Sequence, residues 1–156
     1  MIAPKQASEL ADELYAVVIF LHKHCNSDLF EAVGALELTL TQIKLLHHLE
    51  EATDPLTLKQ GAELVSISLP AASRTVDDLV RRGFAEREED LEDRRMKRVS
   101  ITEEGRAVTR RLNAARRSGL QNFTEKLSDP ERSSLAAALS KLLERPEIAD
   151  CRPERA

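Results

Sequence analysis

A mainly α-helical fold carrying one small β-hairpin is what this sequence predicts, and three observations predict it. Apolar residues recur at helical spacing, as in Leu10, Leu14, Val17, Leu21 and Cys25. Helix-start signals stand at Thr39 and Thr57, each with Gln three residues on, and at Ser68, just ahead of Pro70. Residues 84–101 switch to the alternation of strands, in Phe84, Glu86 and Glu88 and again in Lys97, Val99 and Ile101.

The elements follow in order. The first apolar stripe predicts a long helix over about residues 7–30, with Gly34 loosening the chain behind it. "TLTQIKLLHHLEE" reads as a second helix, capped by Thr39 and Gln42 and burying Ile43, Leu46 and Leu49. Asp54-Pro55 breaks it. Thr57 opens a short helix, "SIS" makes a turn, and Ser68 opens "LPAASRTVDDLVRR", where Pro70 fits because it lies in the first turn. Ala72, Val76 and Leu79 form that helix's inward face, and Gly83 supplies a left-handed stop.

After the two strands, Thr102 caps a long helix with Glu103 and Glu104 in its first turn, which its dipole favours. Val108, Leu112, Ala115, Leu120, Phe123 and Leu127 give it an apolar side. "SDPE" starts the last helix, with Asp129 as cap and Pro130 at its first position. Leu135, Leu139, Leu142 and Leu143 are expected to face inward, Pro146 to end the helix, and the tail from Glu147 to fray.

Composition bounds the function classes. At 156 residues the chain is expected to be one domain with a core that needs no disulfide or metal. Aromatics make up 3%, too few for a platform that stacks single-stranded bases. The run "AVVIFL" at 16–21 is too short to span a bilayer, and no basic segment or cleavage site marks a signal peptide. Cys25 and Cys151 do not make a disulfide framework, so a reduced, cytoplasmic setting is expected.

A net charge of −4 conceals an asymmetry. Residues 1–73 carry 4 Lys/Arg against 10 Asp/Glu, whereas residues 94–117 carry 9 against 2. Counterion release depends on the charge that meets phosphate, so the local excess matters more than the total. Four basic side chains, Arg94, Arg95, Lys97 and Arg98, fall within five positions, directly behind Glu88, Glu89, Asp90, Glu92 and Asp93.

Helix, short helix, turn, second helix, hairpin, long helix is the order of a winged helix-turn-helix with extra helices on both sides. From Leu56 to Gly105 the chain resembles the MarR family of bacterial transcriptional regulators. The family's wing signature, Asp-x-Arg, five residues, Leu-Thr-x-x-Gly, stands here as Asp93 to Gly105, with Ile101 in place of Leu. "LTLTQIKLLHHL" and "LSDPERSSLAAALSKL" are also similar to the family. The resemblance implies a regulator, expected to be a repressor, that binds a palindromic operator in double-stranded DNA as a homodimer. It also implies release by a small phenolic or aromatic effector. The corresponding division is a winged unit over 39–102, dimerisation helices over 1–38 and 103–146, and a flexible tail over 147–156.

By the same resemblance Arg95 is the wing residue that enters the minor groove, where a planar, weakly hydrated guanidinium is suited, and Asp93 holds the wing in register. An Asp93–Arg95 pair across the tip is the bland alternative. Arg94, Lys97 and Arg98 join the expected DNA-facing set. On the second helix of the motif, Ser68, Pro70, Ala71, Ser73 and Arg74 are free to face the major groove. Arg74 suits either a guanine edge or a phosphate. Arg81 and Arg82 are expected to be solvated or phosphate-facing. The five acids ahead of the basic run oppose DNA unless they pair with it.

His22, Lys23, Lys44 and His47 are placed by position where a cleft for an effector would lie. A metal set from His22, Cys25 and His47 or His48 is disfavoured, because the family's zinc histidines lie in the helix after the wing and this chain has none there. Cys25 falls on an apolar stripe, as an inert thiol does, which disfavours redox sensing. The sequence contains no P-loop, no Gly-x-Ser-x-Gly and no zinc-protease motif, so neither an enzyme nor a cofactor is expected. The competing reading is a winged helix that binds protein instead of DNA, or a regulator responsive to redox or metal.

Overall fold

Local capping signals set most of the element boundaries. Thr39 and Gln42 bond reciprocally: the Thr39 N–H donates to Gln42 Oε1 (2.7 Å) and the Gln42 N–H to Thr39 Oγ1 (3.2 Å). Thr57 and Gln60 repeat the device at 2.8 and 3.2 Å. Such boxes satisfy N–H groups that a helix start leaves orphaned.

The computed structural model describes residues 6–90 and 97–149. The described elements are α1 (Ala7–His24), α2 (Ser27–Leu36), α3 (Leu40–Glu51), β1 (Leu56–Thr57), α4 (Leu58–Leu64), α5 (Leu69–Arg81), β2 (Ala85–Glu89), β3 (Lys97–Ile101), α6 (Glu103–Glu125), α7 (Asp129–Leu142) and α8 (Pro146–Ala149). The sheet is antiparallel in the order β1-β3-β2. The expected hairpin therefore gains a third, two-residue strand, with Leu56 opposite Val99 and Thr57 opposite Arg98.

The core lies where α3, α5, α6 and the sheet meet, around Leu45, Leu46, Leu79 and Leu112, with Val76, Val99, Ile101 and Val108 beside them. Each such side chain contributes about 1.5–3 kcal/mol on burial. Thr109 is fully buried among them, and its hydroxyl donates to Glu50 Oε1 at 2.7 Å, tying α3 to α6.

The predicted long first helix is two helices. Cys25 and Asn26 leave helical geometry at φ −116°, ψ 7° and φ −112°, ψ 8°. The Asn26 side-chain amide donates to the His22 carbonyl (3.2 Å), a local bond that competes with the helix ladder. The break seats the chain on α6. A Cβ on Gly119 would lie 1.7 Å from the Cys25 carbonyl oxygen, so only glycine permits that approach. Gly34 lies within α2 and loosens nothing; the left-handed residue that ends α2 is Glu37, at φ 49°.

Two further boundaries move. Ser128, not Asp129, caps α7, because the Glu131 carboxylate accepts from the Ser128 N–H (2.8 Å) and hydroxyl (2.6 Å). Those bonds hold the Glu131 carboxyl below its ordinary pKa. Pro146 begins the short α8 instead of closing α7, which ends at Leu142. Neither α1 nor α7 buries a residue in the single chain: Leu10, Leu14, Val17, Leu139 and Leu142 are exposed, and Leu135 and Leu143 are half-buried. Among the described residues, no helix is long and apolar enough to cross a membrane.

Candidate nucleic-acid interface

The motif begins with the joint between α4 and α5. α4 closes as the Val65 and Ile67 N–H groups donate to Gly61 and Ala62 carbonyls at 3.2 and 3.0 Å. Between them Ser66 takes φ 58°, the left-handed geometry that makes the turn tight. Ser68 then caps α5 by accepting from the Ala71 N–H at 3.4 Å, and Pro70 lies in the first turn, where no donor is needed. Ala72, Val76 and Leu79 are buried as expected, so the opposite side of α5 is presented outward.

That outward side has a particular charge pattern. Asp77 is held by Arg87 Nη1 on β2 at 2.9 Å. Asp78 accepts from Arg81 and from Gln42 Nε2 of the α3 capping box. Both acids on the helix are thus engaged inside the protein. Arg74 is exposed and has no hydrogen bond or ion pair within the described residues. Ser68 and Pro70 are also exposed, with Ala71 and Ser73 half-buried. The other two nitrogens of the Arg87 guanidinium, Nε and Nη2, are buried without a hydrogen-bond partner.

At the base of the wing, opposite charges face one another across β2 and β3. Glu89 opposes Lys97 in register, with Nζ 2.8 Å from Oε1, and this pairing lowers the Glu89 pKa. Asp90 is 3% exposed and accepts from Arg98 Nε, while Arg98 Nη1 donates to the Pro55 carbonyl at 3.0 Å. A buried carboxylate requires such a partner. Lys97 and Arg98, expected to face DNA, therefore brace the wing's base through these pairs. Asp93, Arg94 and Arg95 lie outside the described residues, as does Cys151.

Behind the wing, Thr102 organises the start of α6. Its Oγ1 donates to the Gly83 carbonyl (2.6 Å) and accepts from the Gly105 N–H (3.1 Å), while its N–H donates to the Phe84 carbonyl (3.2 Å). Gly83, at φ 77°, makes the left-handed turn predicted for it. Gly105 carries no side chain because a Cβ there would lie 2.1 Å from Phe84 O. Arg82 departs from expectation: its guanidinium donates to the Leu36 and Glu37 carbonyls at the end of α2.

A shallow cleft of about 370 Å³ lies beside Leu56, Gln60, Glu63 and Leu64. Another, of about 230 Å³, is lined by Val18, Leu21, His22, Cys25, Asn26, Arg116 and Leu120. His22 belongs to its lining; Lys23, Lys44 and His47 do not. His47 lies near Glu50 (4.0 Å) instead. Cys25 is a buried free thiol. No group of three His, Cys, Asp or Glu side chains among the described residues is arranged to hold a metal ion.

Two helices joined by a tight turn, an exposed second helix and a flanking three-stranded wing define a winged helix-turn-helix protein. Residues 36–96 match the model of the MarR family. Wild-type MarR from E. coli, in its apo form, is 25% identical, with TM-score 0.60 over 92% of this chain and 98% of that one. RV1404 from Mycobacterium tuberculosis shares the fold at TM-score 0.74 and 24% identity, over 94% of this chain and 98% of that one. A mutant of S. aureus MepR bound to an oligodeoxyribonucleotide shares it at TM-score 0.69 and 22% identity, over 85% and 96%. MepR has also been seen bound to ethidium bromide. Over residues 36–96 the chain is thus similar to the MarR family, and as a whole it has the winged helix-turn-helix fold of these structures, with helices on both sides.

Proposed function

We propose that the chain binds a palindromic operator as a homodimer, represses transcription in the cytoplasm, and is released by a small aromatic or phenolic effector. The observation that carries the operator reading is the outward side of α5. Its two carboxylates are engaged by Arg87, Arg81 and Gln42, which leaves Arg74 as a cation with no partner among the described residues. Arg74 forks onto a guanine edge or clamps a phosphate, Pro70, Ala71 and Ser73 lie along the groove, and Ser68 contributes its cap. By the family resemblance Arg95 probes the minor groove, and Asp93 and Arg94 belong to the same DNA-facing set. Lys97 and Arg98 act first as braces and exchange Glu89 and Asp90 for phosphate only when DNA competes.

Dimerisation is supported by the unburied apolar faces of α1 and α7, on residues 1–38 and 103–146, which a second copy would cover. Two winged units over 39–102 then read half-sites about one DNA turn apart. For the effector, the cleft between α1 and α6 offers an apolar wall of Val18, Leu21 and Leu120 and the cation of Arg116, a chemistry suited to a small aromatic anion. Selection of bound fragments from genomic DNA tests the reading. An inverted repeat with centres about one turn apart is expected, and recovery of sequence-independent fragments alone would sink it.

A further inference from the structure

The recognition helix α5 is tied to the helices outside the winged unit at one end. Within the described residues, the side-chain hydrogen bonds from α5 and its cap to residues before 39 or after 102 come from Arg82. Its Nη1 donates to the Glu37 carbonyl at 3.1 Å and its Nη2 to the Leu36 carbonyl. These are the orphaned acceptors at the C-terminus of α2, where a cation is favoured by the helix dipole as well. Glu37 turns into the left-handed region (φ 49°) at that point, which ends the helix with its last carbonyls open to the guanidinium.

The guanidinium is fixed on its other side. It lies 5.1 Å from the Phe84 ring centroid, and the Phe84 carbonyl in turn accepts from Thr102 at the start of α6. α2 itself is held to α6: Ser118 Oγ donates to Asp28 Oδ2 at 2.8 Å, and the Cys25 carbonyl rests on Gly119. A continuous route of contacts therefore runs from α6 through α2 and Arg82 to the exit of α5. Lysine would meet one carbonyl where the planar fork of arginine meets two.

We infer that Arg82 is a positioning residue that fixes α5 relative to the dimer helices, and so determines which half-site spacing the protein accepts. The inference rests on the operator-binding homodimer proposed above. Adding one base pair between half-sites shifts one of them by about 3.4 Å and turns it by roughly 35°. With the tie intact α5 does not follow that displacement; without it, the exit of α5 is freer to adjust.

The test uses the full-length protein and three duplexes: the selected operator and versions with one central base pair added or removed, read by fluorescence anisotropy at fixed salt. The parent is expected to prefer the selected spacing strongly. Arg82→Ala narrows that preference by about tenfold or more, the scale of a lost charge-assisted hydrogen bond. Arg82→Lys is expected to fall between the two. A residue that only stabilises the fold weakens all three duplexes by one factor, so an unchanged ratio in Arg82→Ala overturns the inference. Should that variant fail to fold, Arg82→Lys and Arg82→Gln decide, and parental ratios in both overturn it. A parent that prefers none of the three duplexes overturns the operator-dimer reading, and the inference with it.

Discussion

Gly105 closes the wing signature, and replacing it by alanine perturbs one spot whose geometry is known. The added Cβ would stand 2.1 Å from the Phe84 carbonyl oxygen and 2.7 Å from Ile101 Cγ1. The nearer obstruction is backbone, held by the Thr102 N–H at 3.2 Å, so it does not rotate away as a side chain would. Overpacking of this kind costs 1–3 kcal/mol, and a rigid obstruction places Gly105→Ala near the top, at about 3 kcal/mol. For a chain of this size that lowers Tm by roughly 6–12 °C. Gly34→Ala is the paired control. Gly34 lies within α2 with nothing within 4 Å of an added Cβ, so alanine there should stabilise by about 1 kcal/mol through helix propensity. Thermal melts of both variants at one protein concentration provide the comparison, since oligomerisation makes Tm concentration-dependent. A Gly105→Ala variant that melts at or above the parent would refute the steric reasoning.

Other outcomes follow from the same geometry. The Glu89 carboxyl titrates below its ordinary value of 4.5 because Lys97 donates to it and attracts it. Its folded-state pKa is thus lower than its unfolded one, so its stabilising contribution is present above about pH 4.5 and lost as pH falls through the folded value. Glu89→Gln should therefore reduce the stability lost between neutral and acid pH in urea melts. Leu14→Asp combined with Leu139→Asp should give a folded monomer in sedimentation, because both side chains are exposed in the single chain; an intact dimer would disprove the assigned surface. Operator affinity should fall steeply with salt, with a log–log slope of about −0.9 per phosphate neutralised. A flat salt response would rule out contacts dominated by phosphate.

Signals that are local in sequence are legible, and those made by distant partners are not. Thr39 with Gln42, Thr57 with Gln60, Ser68 and Thr102 all cap the helices they announce, because each cap spans three residues. The break at Cys25-Asn26 is hidden because the apolar spacing runs on through Leu21, Cys25 and Leu29, and the residue that accommodates it, Gly119, is almost a hundred positions away. β1 is two residues long and exists by pairing with Val99 and Arg98. In the site, the sequence places Arg74 on an open face and sets the acids of 88–93 against the basic run, with Arg98 among the expected pairs; which acid meets which base, Asp90 with Arg98 and Glu89 with Lys97, emerges only once the strands are in register. Arg82 is misread for the same reason: its acceptors, the Leu36 and Glu37 carbonyls, are backbone atoms some 45 positions earlier. Asn26 and Arg116 of the cleft carry no local signal that marks them.

The affinity of Arg74→Ala for the selected operator, measured by anisotropy at fixed salt, tests most directly whether the outward face of α5 reads DNA. Arg74 is exposed and makes no hydrogen bond or ion pair among the described residues, so its removal is expected to leave the fold intact. A loss of roughly 5- to 150-fold is expected for a bidentate base contact, together with relaxed preference at one operator position. Affinity equal to the parent's, in a variant with unchanged Tm and dimerisation, would contradict that assignment.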